Sequence, residues 1–432
     1  MLESLVAAFR IPELKRRIQF NLAMAAVFAV GAHIPVPGVD HDAVARVFGG
    51  AGGILGLVDV FSGGALKRMS LFAMGITPYI NASIIMQMLT LAIPQLEALS
   101  KEGESGRKQI AKITRYLTIA LAFFQAIGLS LMFRGSGVST PIWALIQMWV
   151  VMTAGTCFLL WIGEQITDKG IGNGVSLVIF FGIMLSLPYQ SGLVAKQVTD
   201  RIVSPFAVGL LIAVFIATIF AIVYITQGQR KIPIQHAKRV VGMKQTGGGS
   251  SFLPIKVNTA GVIPIIFAIS MLLFPAQILG AFPSAPGGWM SRMKTFFLSF
   301  SPGNSWYGSF VYVILIIVFT YFYTAIVMNV QDMADNLRKY GNYIPGIRPG
   351  KPTFDYLDRV VSRITLAGAI FLAGVALIQY IAPAVTGVTS FGLIGGTSLL
   401  IVVGVCIETM QAIEAQLLMR NYEGFIKGSG MA

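Results

Sequence analysis

Charge is what this sequence has least of. Asp, Glu, Lys and Arg make up 12% of its 432 residues, against 55% apolar residues. A soluble globular domain carries about 25% charged residues, so a mean hydropathy of +0.75 excludes a water-soluble enzyme of this size. Cysteine is nearly absent as well. Cys157 and Cys406 are the only two, both inside apolar segments, which implies neither a disulfide framework nor a cysteine metal site and leaves the redox compartment unread. The three histidines, His33, His41 and His236, share no metal-ligand spacing. No glycine loop has the spacing that cradles phosphates, and Gly170-Ile171-Gly172-Asn173-Gly174 reads as flexible backbone opening an apolar run. Ser176 and Ser398 have no identifiable base, which argues against an intramembrane serine hydrolase. No catalytic constellation and no cofactor are expected.

What is there is apolar length. A helix crossing the bilayer needs about 20 apolar residues, and ten uncharged runs qualify: 18–32, 71–93, 117–133, 142–162, 171–187, 206–225, 259–282, 310–330, 364–381 and 393–410. The first follows Lys15-Arg16-Arg17 like the start of a signal peptide. No small-residue cleavage site comes after it, so it reads as a retained first span. The 47 glycines suit closely packed membrane helices. The fold class expected is therefore an all-α polytopic membrane protein with ten transmembrane helices.

Net charge is +14, and its distribution sets orientation. With the N-terminus in the cytoplasm, 24 of the 32 Lys and Arg fall in cytoplasmic segments and eight on the other side. Such a bias places both termini in the cytoplasm. Ten spans divide into two halves of five, and because five is odd the second half enters from the opposite face. That is the arithmetic of an inverted repeat with its pathway between the halves. The division expected is 1–190 and 191–432.

The interior is almost free of carboxylates, Glu408 alone falling within a span. Ion-coupled transporters place ionisable groups near the midplane, so their scarcity argues against a solute transporter. Glycine and proline interrupt two spans at comparable places: Gly75, Pro78 and Asn81 in the second, Asn258, Gly261 and Pro264 in the seventh. Such kinks hint at a shared cavity. The segment from Ile54 to Phe61 is apolar but too short to span, which fits either an interfacial helix or a re-entrant half-helix lining a cavity. Two connections are long and basic. Residues 227–257 carry six Lys and Arg with no acidic residue, and residues 330–361 frame Arg348 with proline and glycine. A basic protrusion suits an RNA or an acidic protein partner.

At this point a set of motifs resembles one family. They are Phe61-Ser62-Gly63-Gly64-Ala65-Leu66, Gly75-Ile76-Thr77-Pro78-Tyr79-Ile80, Lys101-Glu102-Gly103-Glu104-Ser105-Gly106-Arg107, Gly163-Glu164-Gln165-Ile166-Thr167, Gly170-Ile171-Gly172-Asn173-Gly174, Ala260-Gly261-Val262-Ile263-Pro264, Ile344-Pro345-Gly346-Ile347-Arg348-Pro349-Gly350 and Gly395-Gly396-Thr397-Ser398-Leu399-Leu400. In order along the whole chain they resemble the SecY family, channel subunits of the bacterial protein translocase. The resemblance implies a clamshell of two inverted five-helix halves in the bacterial cytoplasmic membrane. It implies a passive channel that moves secretory polypeptides across the bilayer and releases membrane-protein helices sideways into lipid. The implied partners are SecE, SecG, the motor ATPase SecA, the ribosome (rRNA at the basic loops), signal sequences and translocating chains. By position, the family's apolar pore ring falls on Ile76, Ile80, Val175, Ile179, Ile266 and Ile401. Its plug falls on residues 54–66, with Ile54, Leu55, Leu57, Val58, Val60, Phe61 and Leu66 as the apolar face. Its lateral gate would pair spans two and three with seven and eight, with Gln87 facing it. Arg239 and Arg348 match the loop arginines that dock motor or ribosome.

Overall fold

A computed structural model describes residues 9–37, 59–60, 62–135, 141–236, 239–241, 244–246, 249–280, 288–300, 305–388 and 395–429. Each of the ten apolar runs holds one helix. These are α1 (Pro12–Gly31), α2 (Thr77–Ala92), α4 (Glu104–Gly135), α5 (Ile142–Lys169), α6 (Gly174–Thr199), α7 (Pro205–Gln227), α8 (Ile263–Gly280), α10 (Trp306–Val327), α12 (Lys351–Thr386) and α13 (Thr397–Ser429). Three shorter helices join them: α3 (Pro94–Lys101), α9 (Trp289–Ser299) and α11 (Val330–Lys339). Seven of the ten are individually long and apolar enough to cross a membrane. The other three each have a local reason. α1 opens on Glu13, Lys15, Arg16 and Arg17, α2 ends at a 100° bend into α3, and α8 begins late, at Ile263.

The late starts of α2 and α8 correct the expectation of proline-kinked spans. Residues 71–76 and 257–262 are turns, so Pro78 and Pro264 lie in the first turn of their helices. There a missing N–H leaves no hydrogen bond unmade. A left-handed glycine precedes each helix by two residues, Gly75 at φ +55° and Gly261 at φ +63°. Two other helices open the same way, α6 after Gly172 (φ +91°) and α13 after Gly396 (φ +53°). Four helices in matching places of the two halves thus begin at a glycine-made corner.

Packing follows chain order within each half. α4 lies on α2 and α5, and α5 on α6; α10 lies on α8 and α12, while α7 lies on α12 and α13. Between the halves, α8 rests against α2 and α4, and α13 against α6. The largest apolar cluster crosses this seam, joining Ala122, Ala126 and Met152 to Phe267, Ile269, Tyr312 and Leu400.

The described residues of the two long basic connections include strands and a helix as well as turns. β1 (Gln229–His236) pairs antiparallel with β4 (Ser250–Lys256), Arg230 opposite Ile255 and Ile232 opposite Leu253. β5 (Asn342–Tyr343) adds to the other edge of β1. Short β2 (Arg239–Val241) and β3 (Lys244–Thr246) pair farther along. Ile232, Ile255, Ala334, Ile344 and Leu357 are buried together beneath this sheet. At 36 residues α12 extends about 54 Å, well beyond a hydrocarbon core of about 30 Å. Its first turns are the floor of this small second core, which holds the basic connections in place.

Candidate functional site

The six ring positions sit at the glycine-made corners. Ile76 caps the N-terminus of α2, and the Ile80 amide donates to the Ile76 carbonyl at 3.1 Å, stacking the two one turn apart. Val175 and Ile179 have the same four-residue spacing at the start of α6, where the Asn173 side chain accepts from the amides of Val175 and Ser176. Ile266 lies in the first turn of α8 and Ile401 in the second turn of α13. All six belong to one apolar cluster, with Ile76, Ile179 and Ile401 buried and Ile80, Val175 and Ile266 half-buried. Two elements from each half therefore meet in one apolar cluster, to which these six positions contribute only aliphatic side chains. Such a waist offers no hydrogen bond and no charge.

Two further members of that cluster, Val60 and Ala65, come from the segment expected to be the plug. Leu66 is buried in the larger cluster that crosses the seam. Ile54, Leu55, Leu57, Val58 and Phe61 lie outside the described residues. Asp59 and Val60 are helical, but 62–69 form turns, so no helix continues through Leu66. The turns are held by short-range polar contacts. The Lys67 amide donates to Asp59 Oδ1 at 2.8 Å, Ser62 Oγ donates to the Asp59 carbonyl at 3.0 Å and accepts from the Leu66 amide. Burial pushes the Asp59 carboxyl above its ordinary range, against the opposing pull of the Lys67 amide and charge. Gly63, at φ +74°, lets the segment approach Gly182 of α6; a Cβ there would stand 3.2 Å from the Gly182 carbonyl oxygen.

Gln87 is half-buried on α2, where its Nε2 donates to Ser83 Oγ at 3.3 Å and its Oε1 is buried without a partner. Two further side-chain atoms are buried without partners: Gln125 Nε2 on α4, which was not singled out from the sequence, and Oδ1 of Asn258, which was, in the turn before α8. Their polarity inside apolar runs was the available signal. Also missed was Arg115 on α4, which donates to Glu164 Oε1 of α5 through Nη2 at 2.6 Å and Nε at 3.2 Å. Its partner comes 49 residues later, so spacing alone could not pair them. Arg239 opens β2. Arg348 is exposed between Ile347 and Pro349, and its carbonyl accepts from Thr353 Oγ1 at 2.8 Å. The turn at its base is thereby tied to the first turn of α12.

Comparison with known proteins bears on this arrangement. A family model described as SecY matches residues 70–410. A relative from Streptomyces galbus, described as protein translocase subunit SecY, is 44% identical over 442 residues, covering 99% of this chain and all of that protein. One similar solved structure concerns the plug domain of a SecY protein, said to stabilise the closed state of the translocation channel and maintain a membrane seal. Its TM-score is 0.63 at 18% identity, with 95% of this chain and 96% of that chain covered. Another is Sec61 in a canine ribosome–channel complex from the endoplasmic reticulum, with a TM-score of 0.56 at 16% identity and the same coverage.

Proposed function

This chain belongs to the SecY family of protein translocase subunits, and from that premise we propose how its residues serve a protein-conducting channel. The fold is that of a ten-helix membrane channel and the subunit is not itself catalytic. Its passage runs between residues 1–190 and residues 191–432, and Ile76, Ile80, Val175, Ile179, Ile266 and Ile401 form its constriction. The observation that carries this reading is the meeting of those six side chains, from four helices of both halves, in one apolar cluster.

The chemistry suits arbitrary polypeptides. A pore that bound any side chain strongly would stall, whereas a ring of aliphatic side chains binds none and closes around many shapes. An empty apolar constriction also resists wetting. Val60 and Ala65 pack into the ring cluster, which supports the segment around 54–66 as the plug that blocks the passage. Ile54, Leu55, Leu57, Val58, Phe61 and Leu66 complete that plug. The seam where α8 rests on α2 and α4 is the lateral gate. Gln87 Oε1 on α2 and Gln125 Nε2 on α4 are buried without partners, each costing about 1–3 kcal/mol. The two helices on one side of the gate thus carry a built-in penalty in the packed state. An apolar signal helix that parts the gate gains about 25 cal/mol for each Å² moved into lipid.

Orientation and partners follow from the basic end. The 24-to-8 charge bias supports a cytoplasmic β1–β5 sheet and cytoplasmic termini, and the bacterial relatives support the cytoplasmic membrane as the chain's location. Exposed Arg348, on a turn tied to α12, and Arg239 of β2 offer cationic contacts to the SecA motor and to ribosomal RNA. The Sec61 channel of similar fold is bound to a ribosome. SecE and SecG are the companion subunits, and the driving energy comes from SecA or from the translating ribosome.

The test is electrical. Ile80→Asp and Ile266→Asp, each in the purified channel complex in a planar bilayer, should raise resting ion conductance severalfold by wetting the waist. Unchanged conductance in both variants would overturn the ring assignment.

A further inference from the structure

A plug that seals the waist must itself be held. Its return strand is well anchored. The Val36 amide donates to the Met69 carbonyl at 2.8 Å and the Leu71 amide to the Ile34 carbonyl at 2.9 Å. Pro35 and Ser70 form an isolated bridge between the same two stretches. Met69 is fully buried yet adopts φ +43°, a conformation that side chains other than glycine rarely take. Residues 69–71 are therefore a fixed, strained joint, and everything from Asp59 to Leu66 lies on its movable side. Directly at that joint stand two cations.

Lys67 Nζ donates to the hydroxyl of Tyr189 on α6 at 2.6 Å and lies 4.8 Å from the centroid of the same ring. Arg68 Nη1 donates to Nε2 of His33, two residues past the end of α1, while His33 Nδ1 donates to the Ala29 carbonyl at 2.8 Å. These groups line a cavity of about 360 Å³ together with Asp59, Gly63 and Gln190. The cavity leaves the segment room to shift. Two directional contacts, one to α6 and one to the turn after α1, thus stand beside this vestibule.

We propose that Lys67 and Arg68 are a two-point latch, tying the plug segment to Tyr189 of α6 and to His33 just past the end of α1 and thereby setting how often the resting channel opens. This rests on the channel reading above. When the segment leaves the waist, residues 62–68 swing about Met69, Lys67 slides off the Tyr189 ring and Arg68 leaves His33. Each contact is partly solvated, so each is worth a modest factor in the closed-to-open ratio and not a permanent lock. A latch of that strength suits a seal that must yield to every incoming chain. A buried ion pair in its place would hold the segment too firmly.

The experiment is single-channel recording of the full complex, with Lys67→Met, Tyr189→Leu and the double variant. Each single variant should raise resting open probability about threefold to tenfold, the scale of one cation–π hydrogen-bonded contact. The double variant should do no more than either single, because both remove the same contact. Lys67→Arg, which keeps the cation and the donor, should restore parental gating and shows that the site folds. Ile266→Asp in the same recordings separates the two readings. If it raises conductance while the latch variants leave open probability unchanged, the latch is wrong and the channel stands. If Ile266→Asp and Ile80→Asp also leave conductance unchanged, the ring assignment on which the latch rests fails. Effects of Lys67→Met and Tyr189→Leu that multiply in the double variant would also overturn the latch.

Discussion

Glycine does the most specific work at the level of single residues. Gly174 opens α6 against α5 so closely that a Cβ would stand 1.8 Å from the Gly163 carbonyl oxygen. Backbone at that distance cannot step aside, so Gly174→Ala must separate two helices that pack together. Gly64 is the useful contrast: at φ +79°, a methyl group added there would meet nothing within 4 Å. An alanine there suffers only the left-handed backbone penalty of about 1–2 kcal/mol. Gly174→Ala should cost more than about 3 kcal/mol, beyond ordinary overpacking. Thermal-shift midpoints in detergent should rank parent, Gly64→Ala and Gly174→Ala in falling order. A Gly174→Ala midpoint equal to the parent's would contradict the close approach. Neither glycine could be weighed from the sequence, which shows that a glycine is present but not what faces it. Ring isoleucines have the same limit. They look like any other isoleucine in an apolar run until the turns at 71–76 and 257–262 bring them inward.

Among the elements, the basic protrusion carries the clearest prediction. Arg348 stands on a turn whose base is tied to α12 through Thr353, and Ile344 below it is buried with Ile232, Ile255 and Leu357. Arg348→Glu reverses an exposed charge without touching that core. It should lower ATP-dependent translocation into proteoliposomes severalfold while leaving the amount of channel inserted in the membrane unchanged. Normal translocation by the variant would refute a docking role. The helices behind this prediction were legible as ten apolar runs, because about 20 uncharged residues in a row have few other uses. Their starts were less so. Pro78 and Pro264 look like kinks in an apolar run, and only the positive φ of Gly75 and Gly261 turns them into first-turn residues. The sheet was invisible for a different reason. β1 and β4 are joined by thirteen intervening residues and are rich in charge, Pro233 interrupts β1, and β5 arrives from more than a hundred residues away. The alternation of buried Ile232 and Ile234 with exposed neighbours was the one local trace.

For the whole molecule, function rests on how the halves meet. They touch through α8 on α2 and α4 and through α13 on α6, and one apolar cluster takes residues from α2, α6, α8 and α13. On the proposed reading the first contact parts for a signal helix and the cluster closes around whatever passes. Several of the motifs that gave away the family, Gly75–Ile80, Gly170–Gly174, Ala260–Pro264 and Gly395–Leu400, fall at the glycine corners that open α2, α6, α8 and α13. The pairing of the halves, by contrast, depends on contacts between residues hundreds of positions apart, such as Ile76 with Ile401 in one cluster. The most direct test is to replace Cys157 and Cys406, place single cysteines at the six ring positions in turn, and stall a secretory chain halfway through. The account predicts crosslinks from that chain to all six and none to a cysteine at Phe220, 71% exposed on α7. Crosslinking at Phe220 equal to that at the ring, or none at the ring, would contradict a passage through the waist.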